Sequence, residues 1–223
     1  MKVLIFGGTG MVGQGVLREC LSAPDVSQVT VVGRTSLEQV HSKLQQLACA
    51  DLMALGTHAS ELQGFDACFF CLGVSSSGMS EEAYQHITHD ITLTVAALLT
   101  RLNPKMTFVY VSGAGTDSTE QGRSMWARVK GKTENDLQKL PLQGVYLFRP
   151  GIIQPLHGIK SKTRTYQRFY TLANPLLSLL RRVFPNAIVT TEDVGNAMLN
   201  AARQGNAHIV VEAKDIIRLA RRP

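Results

Sequence analysis

The sequence has few cysteines and no long apolar run. Four cysteines in 223 residues are too few for the disulfide framework of a small secreted domain. No stretch reaches the ~18 consecutive apolar residues of a membrane-spanning helix, because even residues 91–99 are interrupted by Thr92 and Thr94. A strand is expected to begin at Lys2, which leaves no room for a signal peptide. These absences predict a cytoplasmic protein without stable membrane insertion.

Motifs for metal binding and for thiol redox chemistry are also missing. Cys68 and Cys71 do form a C-x-x-C pattern, but they lie in an apolar run typical of a buried strand, where positions i and i+3 point to opposite faces. The helix N-terminus that lowers the thiol pKa in a redox motif is absent from this run. His86 and His89 have helical spacing but no third ligand of matching spacing. We therefore expect buried cysteines, solvated or capping histidines and no bound metal.

What the sequence does contain is a regular alternation of short apolar strands and amphipathic helices. Strands are predicted at residues 2–7, 28–33, 50–53, 65–73, 106–112 and 144–149, and helices at residues 11–22, 37–48, 80–102 and 125–140. This alternation is typical of βαβ units with right-handed crossovers. We therefore predict an α/β fold with a Rossmann-type doubly wound parallel β-sheet.

The regular alternation ends near residue 150. Beyond it we expect a helical segment at 163–183, a helix at 191–203 capped by Thr191, a strand at 208–211 and a helix at 214–222. No obvious linker separates the two parts. We therefore predict a single domain in which residues 1–150 form the core and residues 151–223 form a small C-terminal elaboration that covers the strand ends.

A glycine-rich loop joins the first strand to the first helix. Gly7, Gly8, Gly10 and Gly13 fit both G-x-G-x-x-G and G-x-x-G-x-x-G, directly after an apolar strand and at the start of a helix. The first glycines allow a tight turn, Gly10 lets the backbone approach a pyrophosphate, and Gly13 lets helix and strand pack closely. The helix N-terminus adds free N–H groups and a positive dipole end. The loop therefore predicts a dinucleotide-binding site formed by Gly7, Thr9, Gly10, Met11, Val12 and Gly13.

The end of the second strand indicates which dinucleotide binds. An NAD site has an acidic residue ~20 residues after the glycines, which bonds the ribose hydroxyls. This chain has no acidic residue there and has Arg34, Thr35 and Ser36 instead. The planar guanidinium of Arg34 suits a 2′-phosphate. We predict NADP(H) as the cofactor in preference to NAD(H), with Arg34 and Thr35 in the site.

Together with Lys130 and the pair Arg149 and Pro150, the glycine loop resembles the short-chain dehydrogenase/reductase superfamily, in its atypical, epimerase-like branch. The likeness runs through residues 31–34, 50–52, 71–73, 129–131, 148–151, 189–200 and 212–217. The resemblance implies an NADP(H)-binding oxidoreductase or a sugar-nucleotide epimerase-like enzyme. It also implies positions along the cofactor: Asp51 and Leu52 beside the adenine, Cys71, Leu72 and Gly73 beside the ribose and pyrophosphate, and Pro150, Gly151 and Ile152 near the nicotinamide.

The catalytic residues of that superfamily are only partly present. Its members use a tyrosine four residues before a lysine on one helix face, and a serine at a neighbouring strand end. Lys130 is present, but Trp126 stands at the tyrosine position, and an indole N–H cannot act as an acid or base. The serine position corresponds either to Ser112 or to Ala114. The residues predicted at the three catalytic positions are Lys130, Ser112 and Trp126, the last in place of the usual tyrosine.

Three explanations of the missing phenol remain open at this point. The proton is supplied by another side chain, or by water, or the protein binds NADP(H) without turnover as a sensor or a regulatory interaction protein. The candidate side chains are Tyr84, His86, Tyr166 and Tyr170.

The net charge of +6 favours an anionic partner. A phosphorylated cofactor meets that condition, and a small, anionic substrate would meet it too. Residues 160–182 are rich in basic and apolar side chains, and they suit a lid over the substrate, a membrane-surface or partner-binding helix, or a structural helix pair with a solvated basic edge. We favour the lid among the functional options. No nucleic-acid partner is expected, because the chain lacks any recognisable module of that kind, and a monomer or a homodimer fits the sequence.

Overall fold

The structure is a computed structural model that describes residues 1–159, 188–205 and 208–222. Its strands are β1 (Lys2–Phe6), β2 (Gln28–Gly33), β3 (Leu44–Ala48), β4 (Ala67–Phe70), β5 (Thr107–Val111), β6 (Gly144–Arg149), β7 (Ile152–Gln154), β8 (Ile188–Thr190) and β9 (Val210–Glu212). Seven of them form one parallel sheet in the order β3-β2-β1-β4-β5-β6-β9, and β7 pairs with β8 in a two-stranded sheet. This confirms the predicted Rossmann-type sheet, whose strand order reverses between β1 and β4.

Helices cover both faces of the main sheet. They are α1 (Met11–Ser22), a 3-10 helix (Leu52–Leu62), α2 (Glu81–Gln85), α3 (Ile91–Leu102), α4 (Met125–Leu137), α5 (Thr191–Gln204) and α6 (Ala213–Ala220). A π-helical turn, His86–Asp90, joins α2 to α3, so the helix predicted at 80–102 is continuous but locally widened. None of the helices in the described ranges is long and apolar enough to cross a membrane.

Alternate side chains of β1 divide the core between the two faces. Val3 and Ile5 are fully buried in a cluster that includes residues of α1, α5 and α6. Leu4 and Phe6 are fully buried in a second cluster that includes residues of α3 and the 3-10 helix. Because a strand directs successive side chains to opposite faces, one apolar strand serves both layers. The resulting two-faced burial explains why β1 is apolar at almost every position.

The helix predicted at 37–48 and the strand predicted at 50–53 are both wrong. Residues 37–48 include good helix formers such as leucine and glutamine, yet Leu44–Ala48 forms β3 and pairs with β2 from Val29↔Leu44 to Gly33↔Ala48. Asp51 then caps the 3-10 helix by accepting a hydrogen bond from the Met53 backbone N–H at 2.9 Å. The open edge of β2 provides backbone partners that outweigh the local preference for a helix.

The C-terminal part joins the main sheet. β9 lies beside β6 in parallel, at Val210–Glu212 rather than at the predicted 208–211. The cap of α5 is Thr190 and not the predicted Thr191: the Thr190 hydroxyl accepts from the Asp193 N–H, and the Asp193 carboxylate accepts from the Thr190 N–H. The helical segment predicted at 163–183 lies outside the described residues.

Candidate active site

Two adjoining cavities lie at the carboxyl ends of the central strands. The inner cavity has a volume of about 640 Å³ and extends across the ends of β1, β4, β5 and β6. The outer cavity has a volume of about 270 Å³ and extends from β1 across the end of β2. Both are bordered by Gly7, Thr9, Arg34, Leu72 and Val74. Their position is the one where doubly wound sheets bind ligands, outside the strand ends at the reversal of strand order.

The glycine loop shapes the junction between the two cavities. Gly7 has φ +77°, and a Cβ there would lie 2.7 Å from the Cys71 backbone. A Cβ on Gly13 would lie 2.2 Å from the Gly7 carbonyl oxygen, so only glycine lets α1 approach the loop this closely. Gly10, Met11 and Val12 border the inner cavity, and the N-terminus of α1 has neither a side-chain cap nor an acidic residue in its first turn. Its free N–H groups and dipole are therefore available to an anion.

The outer cavity brings together the residues predicted for the adenosine end. Arg34, Thr35, Asp51 and Leu52 all line it. Arg34 is exposed, and no hydrogen bond or ion pair joins it to any described residue. The cavity also includes apolar residues that sequence reasoning missed, namely Val31, Val74, Ile87 and Ile91. The i, i+4 spacing of the two isoleucines, which places them on one helix face, was the available signal.

The inner cavity brings together most of the residues predicted for the pyrophosphate and nicotinamide. Cys71, Leu72, Gly73, Pro150 and Gly151 line it. Ile152 does not, whereas Ile153 does, because successive side chains of β7 point in opposite directions. All four cysteines are free thiols, and Cys68 is fully buried as expected. Burial raises the pKa of the Cys71 thiol to about 12, which removes it from redox or acid–base chemistry near neutral pH.

Lys130 projects from α4 to the inner cavity. It is partly buried, and its Nζ donates a hydrogen bond to the Ser112 carbonyl oxygen at the end of β5. Burial lowers the pKa of the Lys130 ammonium to about 8, although the nearby carboxylate of Glu134 acts in the opposite direction. The lysine is therefore both positioned at the cavity and able to change its charge close to neutral pH.

Ser112 borders the same cavity, but its hydroxyl is engaged elsewhere. The Ser112 Oγ lies 2.5 Å from a carboxylate oxygen of Glu134 and 3.1 Å from the Phe148 carbonyl oxygen. Glu134 is only 1% exposed and also accepts hydrogen bonds from the Arg149 guanidinium, with Nε at 3.0 Å from Oε1. A hydroxyl has one hydrogen to donate, and both acceptors near it belong to this buried network. The geometry gives Ser112 a structural role in the strand end rather than a free donor for a substrate.

Trp126 is not among the described residues that line either cavity. Its indole ring packs against Gly115, 3.5 Å from the position that a Cβ on that glycine would take, and it lines neither cavity. A tryptophan at the usual tyrosine position therefore does not replace the phenol chemically, because an indole N–H is neither an acid nor a base near neutral pH.

The other described side chains considered as proton donors, Tyr84 and His86, line neither cavity. Tyr84 is 2% exposed, burial raises the pKa of its phenol, and it lines neither cavity. His86 lies 3.5 Å from Asp90 in a solvent-exposed ion pair and borders neither cavity. Tyr166 and Tyr170, with the whole basic segment 160–182, lie outside the described residues.

His89 belongs to a polar cluster between two helical segments. Its two ring nitrogens each lie 2.8 Å from a carboxylate, one from Asp90 and one from Asp136. Across the part of the chain that the structure describes, no group of three histidine, cysteine or acidic side chains is arranged to hold a metal ion. His89 thus links the π-helical turn to Asp136 of α4, whereas His86 contacts Asp90 within the same turn.

Comparison with known proteins gives one family match. Residues 3–125 match the NAD dependent epimerase/dehydratase family. Protein HTATIP2 of Rattus norvegicus is 28% identical over 155 residues, which cover 68% of this chain and 62% of the rat protein, less than two thirds of its length. Protein fmp52-2, mitochondrial, of Aspergillus terreus is 26% identical over 226 residues, which cover 97% of this chain and 96% of that protein. Because such relatives are named as mitochondrial, the predicted cytoplasmic location is not confirmed.

Solved structures share the fold at low sequence identity. DesIV, a dTDP-glucose 4,6-dehydratase from Streptomyces venezuelae with NAD and TYD bound, superposes with a TM-score of 0.71 at 18% identity, covering 96% of this chain and 75% of that one. A UDP-N-acetylglucosamine 4-epimerase from Methanobrevibacter ruminantium M1 superposes with a TM-score of 0.68 at 14% identity, covering 95% and 75%. At these identities the likeness establishes the Rossmann-type fold.

The family match covers more than half of the chain and includes the glycine loop, the acid-free end of β2 and the strand end that holds Ser112. A nicotinamide dinucleotide is the class of cofactor that this family uses by its description. The chain therefore belongs to the NAD dependent epimerase/dehydratase family, within the short-chain dehydrogenase/reductase superfamily that its motifs resemble.

Proposed function

We propose that the chain binds NADP(H) in preference to NAD(H) across the two cavities. The observation that carries this proposal is Arg34, an exposed guanidinium without a partner among the described residues, at the junction of the cavities and at the end of a strand that lacks an acidic residue. A 2′-phosphate offers such a guanidinium a bidentate, charge-assisted partner. The neighbouring hydroxyl of Thr35, which lines the outer cavity, adds a donor.

The residues present fit the remainder of the cofactor. The glycine loop and the N-terminus of α1 suit the pyrophosphate, since backbone N–H groups face the inner cavity without a competing cap. Asp51 and Leu52 would border the adenine, while Cys71, Leu72 and Gly73 would border the ribose and pyrophosphate. Pro150 and Gly151 would border the nicotinamide, whose ribose Lys130 would hold. Two predicted positions line neither cavity: Ile152, where Ile153 takes its place, and Gly13, which packs against Gly7 instead.

The Arg34 proposal is tested by titrating NADPH and NADH against the wild type and Arg34→Ala, with fluorescence as the readout. Loss of a charge-assisted, bidentate contact is expected to cost about 1.5–3 kcal/mol, or roughly a ten- to hundredfold rise in the Kd for NADPH, while the Kd for NADH changes little. Arg101→Ala is the matched control, because Arg101 is an exposed arginine at the end of α3 that borders neither cavity. Equal losses for both cofactors would refute the preference for NADP(H).

We further propose that the chain is an oxidoreductase or an epimerase-like enzyme acting on a small, anionic substrate. When bound, NADP(H) supplies or accepts the hydride. The inner cavity of about 640 Å³ is bordered by Lys130, Pro150 and Gly151, where the nicotinamide and such a substrate would meet, and the net charge of +6 favours an anion.

A sensor that binds NADP(H) without turnover is the second candidate. It is favoured by one observation, namely that Trp126 packs on Gly115 outside the cavities while the Ser112 hydroxyl is held by Glu134. The discriminating variant is Trp126→Tyr, measured with NADPH and a panel of aldehydes, quinones and nucleotide sugars. Activity in this variant but not in the wild type would support the sensor, whereas turnover by the wild type would exclude it.

A further inference from the structure

We infer that Lys130 itself exchanges the proton that a tyrosine exchanges in relatives with the complete set of catalytic residues. This inference rests on the proposed hydride transfer and adds the residue that completes it. It follows from three features of the inner cavity: the ionisable groups that border it, the hydrogen bond that holds Lys130, and the hydrogen bond that already engages the neighbouring Ser112 hydroxyl.

Only three ionisable side chains are found among the described residues that border the inner cavity: Arg34, Cys71 and Lys130. Arg34 belongs to the opposite end of the cavity, and a guanidinium does not release its proton in proteins. Cys71 is too weak an acid, since burial raises the pKa of its thiol to about 12. Lys130 remains, at the end of the cavity that Ser112, Pro150 and Gly151 also border.

The contacts of Lys130 leave it free to exchange a proton. An ammonium group has three N–H bonds, and the structure uses one of them in the hydrogen bond to the Ser112 carbonyl oxygen. That contact fixes Nζ at the end of β5 and beside the cavity. The adjacent Ser112 hydroxyl, bound to Glu134 at 2.5 Å, does not compete for the same role.

The acidity of Lys130 suits this task. Burial lowers the pKa of the ammonium to about 8, and efficient general acids have pKa values close to the working pH. An ordinary lysine, with a pKa of about 10.4, would hold its proton too tightly. Desolvation by the strand end and helix α4 thus prepares the group for proton transfer.

For reduction of a carbonyl, bound NADPH would supply the hydride that forms the C–H bond at the carbonyl carbon, while the π electrons of the C=O bond move to the oxygen. One N–H bond of Lys130 breaks as an O–H bond forms, which leaves an alcohol, an oxidised nicotinamide and a neutral amine. The amine recovers a proton from solvent before the next turnover, and the reverse sequence describes oxidation of the alcohol.

The first test measures the protonation of Lys130 without any turnover. In protein labelled with ¹³C-lysine, the Cε resonance of Lys130 is assigned by its loss in Lys130→Arg and followed during a pH titration. We expect a midpoint near 8. Lys139 is the internal control, because its ion pair with Asp136 raises the pKa of its ammonium above the ordinary value. A Lys130 midpoint in the ordinary lysine range of about 10.4, or above it, overturns the inference.

The second test separates proton exchange from cofactor binding. Lys130→Arg keeps the positive charge and the hydrogen-bond donors but cannot release a proton, so we expect NADPH to bind while kcat falls about 100- to 10,000-fold. Wild-type kcat/KM for reduction should be constant below pH ~8 and fall about tenfold per pH unit above it, because the protonated lysine is the active form and kcat/KM reports the pKa of the free enzyme. Lys132→Arg, on the same helix but outside the cavity, should retain wild-type kcat and pH profile.

The outcomes distinguish this inference from the proposed function. Failure of the wild type to bind NADPH overturns the proposed function. Binding without turnover of any member of the substrate panel, followed both as oxidation of NADPH and as formation of an epimerised product, supports the sensor and overturns the proton-transfer role as well. Turnover in which Lys130→Arg keeps the wild-type kcat leaves the oxidoreductase intact and overturns Lys130 alone as the proton donor.

Discussion

At the scale of single residues, Glu134 connects the strand end to the lysine. It is almost fully buried, and it accepts hydrogen bonds from Ser112 and from Arg149. The positive charge of Arg149 compensates the negative charge of Glu134, because a buried carboxylate needs a partner of opposite charge. The same carboxylate opposes the effect of burial on the pKa of Lys130, because its negative charge favours the ammonium form of the lysine. Glu134 is therefore a positioning residue that also sets the acidity of the proton donor.

Replacing Glu134 by glutamine should make Lys130 a stronger acid. Without the negative charge that stabilises the ammonium, the midpoint of the Lys130 Cε resonance should fall below that of the wild type. The pH above which kcat/KM declines should fall with it. Asp136→Asn is the matched control on the same helix, since Asp136 pairs with His89 and Lys139 instead. A midpoint unchanged by Glu134→Gln would contradict this account of the acidity.

At the scale of elements, the loop between β5 and α4 is held tightly against the helix. A Cβ on Gly131 would lie 1.7 Å from the Asp117 carbonyl oxygen, so the helix and the loop touch backbone to backbone. The Asp117 carboxylate in turn accepts from the Gly122 N–H and the Thr119 hydroxyl, each at 2.6 Å, and these bonds lower the pKa of that carboxyl. Because α4 carries Lys130 and Glu134, this contact positions Lys130 at the cavity and Glu134 beside the Ser112 hydroxyl.

Gly131→Ala should therefore disturb both stability and the site. The added methyl group has no space, and overpacking of this kind costs about 1–3 kcal/mol in the free energy of unfolding. A shifted α4 should also weaken NADPH binding. Gly56→Ala is the control, because a Cβ on Gly56 meets no atom within 4 Å. Urea unfolding and NADPH titration of both variants measure the difference. Equal free energies of unfolding would show that the helix and the loop move apart to admit the methyl group without a loss of stability.

At the scale of the whole molecule, the parts before and after residue 150 share one core. Val3 and Ile5 of β1 are in the same buried cluster as Val194 and Met198 of α5 and Ile216 of α6. α1 and α5 cross closely, since a Cβ on Gly15 would lie 2.6 Å from Thr191. The last strand of the chain, β9, is an edge strand of the same sheet that contains β1. The first strand, with its glycine loop, therefore depends for its burial on residues nearly two hundred positions away.

Much of the fold followed from local pattern. The bounds of α1, β2 and β6 agree with the predicted ranges, because apolar periodicity and flanking turn residues act within a few positions. The helix predicted at 37–48 was wrong for the opposite reason. Its residues favour a helix locally, but the edge of β2 offered them a better set of hydrogen bonds as β3. Local preference is a weak guide wherever a long-range partner is available.

The sequence by itself determined the glycine loop, the absence of an acid at the end of β2, and the presence of tryptophan four residues before Lys130. These features depend on residue type and short spacing, which need no knowledge of the remote chain. Only the tertiary structure decided which groups reach the cavity. It turned the Ser112 hydroxyl to Glu134, 22 positions away, packed Trp126 on Gly115 and left Lys130 at the cavity. Side-chain direction and desolvation arise from packing between distant segments, and for that reason the acidity of Lys130 could not be predicted from its neighbours in sequence.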